Sequence, residues 1–419
     1  MLFRSSLTLR GGYSASNWTA PDPAAHPTLI HALSKGRGLH IASGGVVIEG
    51  LHITGGASMG VGGGINIEGA TVAIRNCEIN ENAAAEYRDG GGVAVRDGAL
   101  TLEDCRVSSN TASAGANLHG EDSQVAATRC QFIYGVSTSD GGGVELETCV
   151  AALTSNTIAN NTGGGYGGGL YLDETTATLT GNLIALNYGG SYGAGLAMED
   201  GEIALAANQI TTNTSSGDRD GGGLWADECV LTMTDDLIAD NKIFKTGEGG
   251  GALLEDCVIE LNRVQILNNS TNDGDGGGIL MDSCVGTASD LTISGNGSGD
   301  ECGGCMIDDG AITLRDSLIT SNTTADYGGG LFLDGGTHTI ANCEIYGNQA
   351  RSDALTYGGG GVYVEDWDES IVIQDCRIAN NTATRSRGGG VQLRRGRAIL
   401  QRCVIEDNTG QRGGGGVYA

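Results

Sequence analysis

Thirteen times along this chain an apolar residue is followed three positions later by a fixed turn position, and twelve of those positions are Asn. They are Asn82, Asn110, Asn161, Asn187, Asn213, Asn241, Asn269, Asn296, Asn322, Asn348, Asn381 and Asn408, with Gly135 in the remaining place. Eleven of the apolar partners are Ile. A repeat this regular means that one short unit is stacked on copies of itself. A second marker keeps step with it. A Gly-rich triplet leads into a run whose first apolar residue recurs every 25 to 31 residues, as at Ile65, Val93, Leu118, Val144, Leu224, Met306 and Leu331. Two further alternating runs, such as Leu100–Leu102 and Ile203–Leu205, follow each triplet and are too short and too rich in β-formers to be helices. The expected unit is a coil of three short strands closed by a polar loop. About 14 such coils of about 27 residues make the chain an all-β parallel β-solenoid.

Stacked coils set like residues above like at ~4.8 Å. The Ile column then fills a continuous core, each side chain contributing roughly 1.5–3 kcal/mol when buried. An Asn column can run as a ladder, because a side-chain amide both donates and accepts, and Asn also tolerates the left-handed backbone of a sharp turn. Glycine, 74 residues in all, would otherwise suggest collagen or disorder, but no G-x-y period is present and Ile, Leu and Val are abundant.

The pairing of GGG-[ILV] with I-x-x-N resembles the right-handed parallel β-helix repeats of the pectin-lyase-like superfamily. It is close to the GGA-[ILV] and F-x-x-N repeats of chlamydial polymorphic outer-membrane proteins. The start, Leu7 to Tyr13 with Asn17 to Pro23, resembles the opening segment of long bacterial surface proteins built from such coils. The resemblance spans nearly the whole chain. It implies a right-handed single-stranded β-helix and an extracellular or bacterial cell-surface setting. It does not imply one activity, since this fold serves lyases, hydrolases, adhesins and inert stalks.

Residues 1–40 hold all three prolines, Pro21, Pro23 and Pro27, and read as an N-terminal cap; residues 41–419 read as one elongated β-helix of roughly 65–70 Å. The chain stops at Val417-Tyr418-Ala419, inside the first strand of a further coil. An open coil end invites stacking, either on further coils of a longer protein or on a second copy. No stretch has the length and apolarity of a membrane span, and Met1–Arg10 lacks the apolar run of a signal peptide.

Twelve cysteines follow the repeat and are expected as small buried core residues. Cys77, Cys105, Cys130, Cys343, Cys376 and Cys403 stand five positions before the turn, and Cys149, Cys229, Cys257 and Cys284 form another column. Cys302-Gly303-Gly304-Cys305 replaces a triplet. It offers a local disulfide or free thiols rather than a zinc site, because no second C-x-x-C and no nearby His supply the other ligands.

The net charge of −28 is unevenly spread: residues 1–40 carry +3, residues 380–419 carry +5, and the middle carries −36. Such a field disfavours a nucleic-acid partner. Ten consecutive coils place a carboxylate three positions after the first apolar residue of the strand: Glu121, Glu147, Asp173, Glu199, Asp227, Glu255, Asp282, Asp309, Asp334 and Glu365. At ~5 Å spacing, neighbours repel by about 0.8 kcal/mol even at the dielectric of water. Two readings of this ladder stand side by side. In one, Asp173, Glu199, Asp227, Glu255, Asp282, Asp309 and Asp334 bind Ca²⁺, which accepts several carboxylates in flexible geometry. In the other they are a solvated acidic face. A shorter acidic column comprises Asp220, Glu248 and Asp275.

The outward positions of the first strand read Trp225, Leu253, Leu280, Ile307, Phe332 and Tyr363. An apolar, aromatic stripe with acidic margins is a candidate ligand-binding face for a carbohydrate or a surface protein, unless a loop such as Gln349–Tyr357 covers it. The lyases that the chain resembles carry an Arg base in an R-x-P-x-x-R setting, and the hydrolases carry GHG and RIK motifs; the sequence has none of these. No catalytic residue is assigned. Asp235-Asp236 and Asp308-Asp309 are adjacent pairs whose members point to opposite faces, and Asp308 is expected to point inward or to sit in a bulge. The sequence therefore reads as a non-enzymatic, adhesin-like surface segment with a structural or adhesive role. The alternative is a polysaccharide lyase or glycoside hydrolase working on the outer face of the first strand.

Overall fold

The computed structural model describes residues 2–3, 6–217, 221–352 and 358–419, with side chains for all of these except 2–3, 366–370 and 396–397. It is a parallel β-solenoid of about 14 coils, with no helix among the described residues. Two compact units divide it: Met1–Gly190 with Ala194–Ile203, and Ser191–Gly193 with Ala204–Ala419.

A coil of the second unit runs through strands Leu224–Asp227, Val230–Thr234 and Leu237–Ala239, and then through a two-residue strand, Lys242–Ile243, beyond the three expected. Pairing with the next coil is parallel and residue for residue: Leu224 with Ala252, Asp227 with Glu255, Ile238 with Ile266. In the first unit Val144–Glu147 pairs in the same way with Leu118–Glu121 on one side and Leu170–Asp173 on the other. Leu7–Arg10, within the expected cap, is already a strand paired to Val46–Glu49. Among the described residues no helix is long and apolar enough to cross a membrane.

In-register stacking turns the sequence period into spatial columns. Ile79, Val107, Phe132 and Ile158 in the first unit, and Ile210, Ile266, Ile293 and Ile319 in the second, are all fully buried. Beside them runs the Asn ladder. The Asn241 N–H donates to Oδ1 of Asn269 at 2.9 Å, while its Nδ2 donates to the same oxygen at 3.0 Å and to the Ile210 carbonyl at 2.9 Å. The left-handed backbone, however, falls on the residue before each ladder Asn, as at Asp240 (φ 56°) and Asn268 (φ 55°). The ladder Asn is kept for its amide, not for its backbone.

The break at Gly135 is repaired from elsewhere in the coil. Asn117, in the third place of its own triplet, accepts from Nδ2 of Asn110 at 3.0 Å and donates to Oδ1 of Asn161 at 3.2 Å. Other coils need glycine there: a Cβ on Gly251 would lie 2.4 Å from the Gly278 carbonyl oxygen and 2.8 Å from Asn269 Nδ2. Asn117 takes the space left by the missing side chain at Gly135.

All cysteines are free and all but Cys403 are buried, as small core residues should be. Cys302, at φ 48°, takes the positive-φ place of a first triplet glycine, and Cys305 opens the strand where Ile279 and Leu331 stand in the adjoining coils.

Candidate functional site

The carboxylate ladder forms in both units. Glu121, Glu147, Asp173 and Glu199 are in register in the first. Asp227, Glu255, Asp282, Asp308, Asp334 and Glu365 are in register in the second. The register corrects one coil. Because Cys305 opens its strand one residue before Met306, Met306 faces outward, Ile307 is buried against Met281 and Leu333, and Asp308 is the ladder member. Asp308 is thus neither inward nor bulged, and Asp309 takes the left-handed turn that follows, at φ 47°.

Most ladder carboxylates are half-buried. Burial first, and neighbouring ladder carboxylates second, push Asp173 and Asp308 up to about 6. Several members accept hydrogen bonds from neighbours: Glu199 from the Tyr171 hydroxyl at 2.8 Å, Glu255 from Trp225 Nε1 at 2.6 Å, and Glu365 from Arg394 at 2.8 Å. In the shorter acidic column Asp220 lies outside the described residues. Asp275 accepts the Glu301 N–H at 2.7 Å, and burial raises it to about 6.

The outward stripe is a second core rather than an open face. Trp225, Leu253, Leu280, Met306, Phe332 and Tyr363 are at most 7% exposed. Segments that precede first strands fold over three of them: Tyr192 lies 4.7 Å from Trp225, and Tyr327 lies 5.4 Å from Phe332 and 4.5 Å from Tyr363, ring centre to ring centre. The covering loop named from the sequence, Gln349–Tyr357, lies partly outside the described residues, at 353–357. Asp235 and Asp236 do part ways: Asp235 is exposed and ion-paired to Arg263 at 2.6 Å, while Asp236 is buried and accepts from Asn208.

In the first unit the same outward column holds a titratable pair that sequence reasoning passed over. His119 Nδ1 lies 2.8 Å from a Glu145 carboxylate oxygen, and the two side chains are 5% and 3% exposed. Burial, only partly offset by His119, raises Glu145 to about 7. Burial lowers His119, but Glu145 and the other carboxylates around it outweigh that and leave it raised. His119 Nε2 is buried with no hydrogen-bond partner. It lies 3.8 Å from Glu121, and His119, Glu121 and Glu147 can each bring a ligand atom within 4.8 Å of the others. Glu121 also accepts from Arg96 of the adjoining coil at 2.7 Å. The signal was present as H-x-E at 119–121 followed by E-x-E at 145–147, which stacking places side by side.

No curated protein sequence matches the chain significantly. Among solved structures, a double mutant of the periplasmic alginate epimerase AlgG superposes with a TM-score of 0.38 at 11% identity, over 81% of this chain and 77% of that one. A single mutant of that enzyme gives 0.35 at 10% identity, over 80% and 78%. The right handed beta helix region family matches residues 28–184 and 262–419. With three-quarters of its length matched and the stacked parallel coils to go with it, the chain belongs to the right-handed β-helix family.

Proposed function

We propose that this chain is a non-enzymatic β-helix segment with a structural or adhesive role, extracellular or at the cell surface, and stabilised by divalent cations along its carboxylate ladder. The observation that carries the reading is the burial of the outer face of the first strand in the second unit. Its aromatic and aliphatic side chains are spent on packing beneath loops, so they offer no platform to a sugar ring. Half-buried carboxylates stacked one per coil supply the oxygen ligands that Ca²⁺ accepts. Polymeric pectin and alginate should be left intact; release of unsaturated or reducing ends above a heat-killed control overturns the reading. Melting in millimolar Ca²⁺ against chelator, at constant ionic strength, tests the ladder. Stabilisation should vanish when Asp227, Glu255 and Asp282 are neutralised together, and equal melting temperatures remove the cation from the proposal.

One observation favours the carbohydrate-active alternative: His119 and Glu145 form a buried pair in which the carboxyl is raised to about 7, the range of a general acid. Cleavage that is lost in Glu145→Gln would select that reading.

A further inference from the structure

The side chains of His119, Glu121 and Glu147 come from two adjoining coils and one face. His119 Nδ1 is engaged by the Glu145 carboxylate at 2.8 Å. With Glu145 ionised, Nδ1–H donates to it and the Nε2 lone pair turns the other way, the geometry that an outer carboxylate gives a metal-bound imidazole. Nε2 is buried and unpartnered. A doubly protonated ring would need an acceptor for Nε2–H within hydrogen-bond reach, and Glu121, the carboxylate oxygen placed towards it, is at 3.8 Å, too far. Glu147 stands beside Glu121 in register on the adjoining coil. The remaining acidic neighbours, Asp89 and Asp140, add negative potential.

We propose that His119 Nε2, Glu121 and Glu147 form a binding site for a divalent transition-metal ion of the Zn²⁺ class. One imidazole nitrogen and two carboxylates are a ligand set for such an ion, and a fourth position stays open to water. Ligand atoms around a tetrahedral Zn²⁺ lie about 3.3 Å apart, given bonds of about 2.0–2.1 Å. The present separations, up to 4.8 Å, close by rotation of the two half-buried carboxylates. Arg96 is the internal competitor, since it already holds Glu121. The site differs from the ladder in kind. The second unit has Trp225, Leu253, Leu280, Met306, Phe332 and Tyr363 at six successive positions equivalent to His119, and none of these is an imidazole. The inference does not depend on the ladder binding Ca²⁺.

Titration of the chelator-stripped full chain with Co²⁺ tests it. In a large excess of Ca²⁺, added to fill the ladder, one Co²⁺ ion per chain should bind with a visible d–d band and be displaced by Zn²⁺. His119→Gln and Glu147→Gln should each weaken binding at least tenfold, Glu145→Gln by about 10- to 100-fold, and Arg96→Gln should tighten it. Asp282→Asn with Asp308→Asn, in the other unit, should leave the affinity unchanged. Absence of the band, or a wild-type affinity in His119→Gln, overturns the site. Should His119→Gln fail to fold by circular dichroism, Glu147→Gln, whose side chain is only half-buried, decides the matter in the same way.

Discussion

Across six successive coils of each unit, the outward positions of the first strand read Asn66, Ala94, His119, Glu145, Tyr171 and Ala197 in the first unit, and Trp225, Leu253, Leu280, Met306, Phe332 and Tyr363 in the second. Every one of the twelve is at most 7% exposed. Burial on this face is therefore imposed by the covering loops and not by the chemistry of the residue beneath them. Where that residue is apolar, burial stabilises at roughly 25 cal/mol per Å². Where it is polar, burial costs free energy unless a hydrogen-bond partner is brought to it, and Glu145 is the partner brought to His119. The two units meet the same constraint with different chemistry, and only the polar solution leaves a nitrogen lone pair with nothing to do.

The largest effects should come from breaking either solution. Glu145→Ala strands His119 in a dry site and should cost about 3–5 kcal/mol, whereas replacing both members of the pair by Leu should be neutral or stabilising. Phe332→Ala in the second unit should cost a similar amount, about 3–5 kcal/mol. Val258→Thr, at an exposed position of the second strand, should stay within about 0.5 kcal/mol. Urea unfolding measures all four. A Phe332→Ala protein as stable as Val258→Thr would mean that the outward stripe is not packed, and the comparison would collapse.

Next in size is the repaired ladder. Asn117→Gly removes one hydrogen bond from Asn110 Nδ2 and one from Asn161 Oδ1 and should cost about 1–3 kcal/mol, the same range expected for Asn241→Ala. Gly135→Asn should itself destabilise, since a Cβ there would lie 2.2 Å from the Gly142 carbonyl oxygen and 2.7 Å from Asn117 Nδ2. Urea unfolding checks both variants, and an Asn117→Gly protein as stable as wild type would show that Asn117 is not standing in for the missing turn residue. Asn17→Ala, outside the ladder, should do little.

The smallest effect is the pH dependence. Asp173 and Asp308, raised to about 6, and Glu145, raised to about 7, bind protons in the folded state at pH values where the unfolded chain has released them. Their contribution is full below about pH 4 and lost as pH rises through 6 to 7. Asp104, Asp235 and Asp375, held low by Arg129, Arg263 and Arg402, act the other way and lose their contribution only below about pH 4. The melting temperature should peak near pH 4–5 and fall towards pH 8. Asp308→Asn should flatten that fall, by on the order of 1 kcal/mol after solvent screening. A stability that rises from pH 5 to pH 8 would contradict the half-buried ladder.

The repeat, the Ile core and the Asn ladder were legible in the sequence because in-register stacking maps a linear period directly onto a spatial column. The same mapping located the carboxylate ladder, and it slipped by one residue only at Asp309, where Cys305 opens a strand with a residue not counted as apolar. Alternation could say that Trp225 and Tyr363 point outward, but not that Tyr192 and Tyr327 close over them, since loop placement depends on contacts that carry no period. Nor could it say that Asn117 would reach across to the gap at Gly135, or that Glu145 would hold His119 with Nε2 turned toward Glu121. Those depend on where loops fold and which way single side chains turn, and a local sequence pattern fixes neither; only packing among neighbouring coils does.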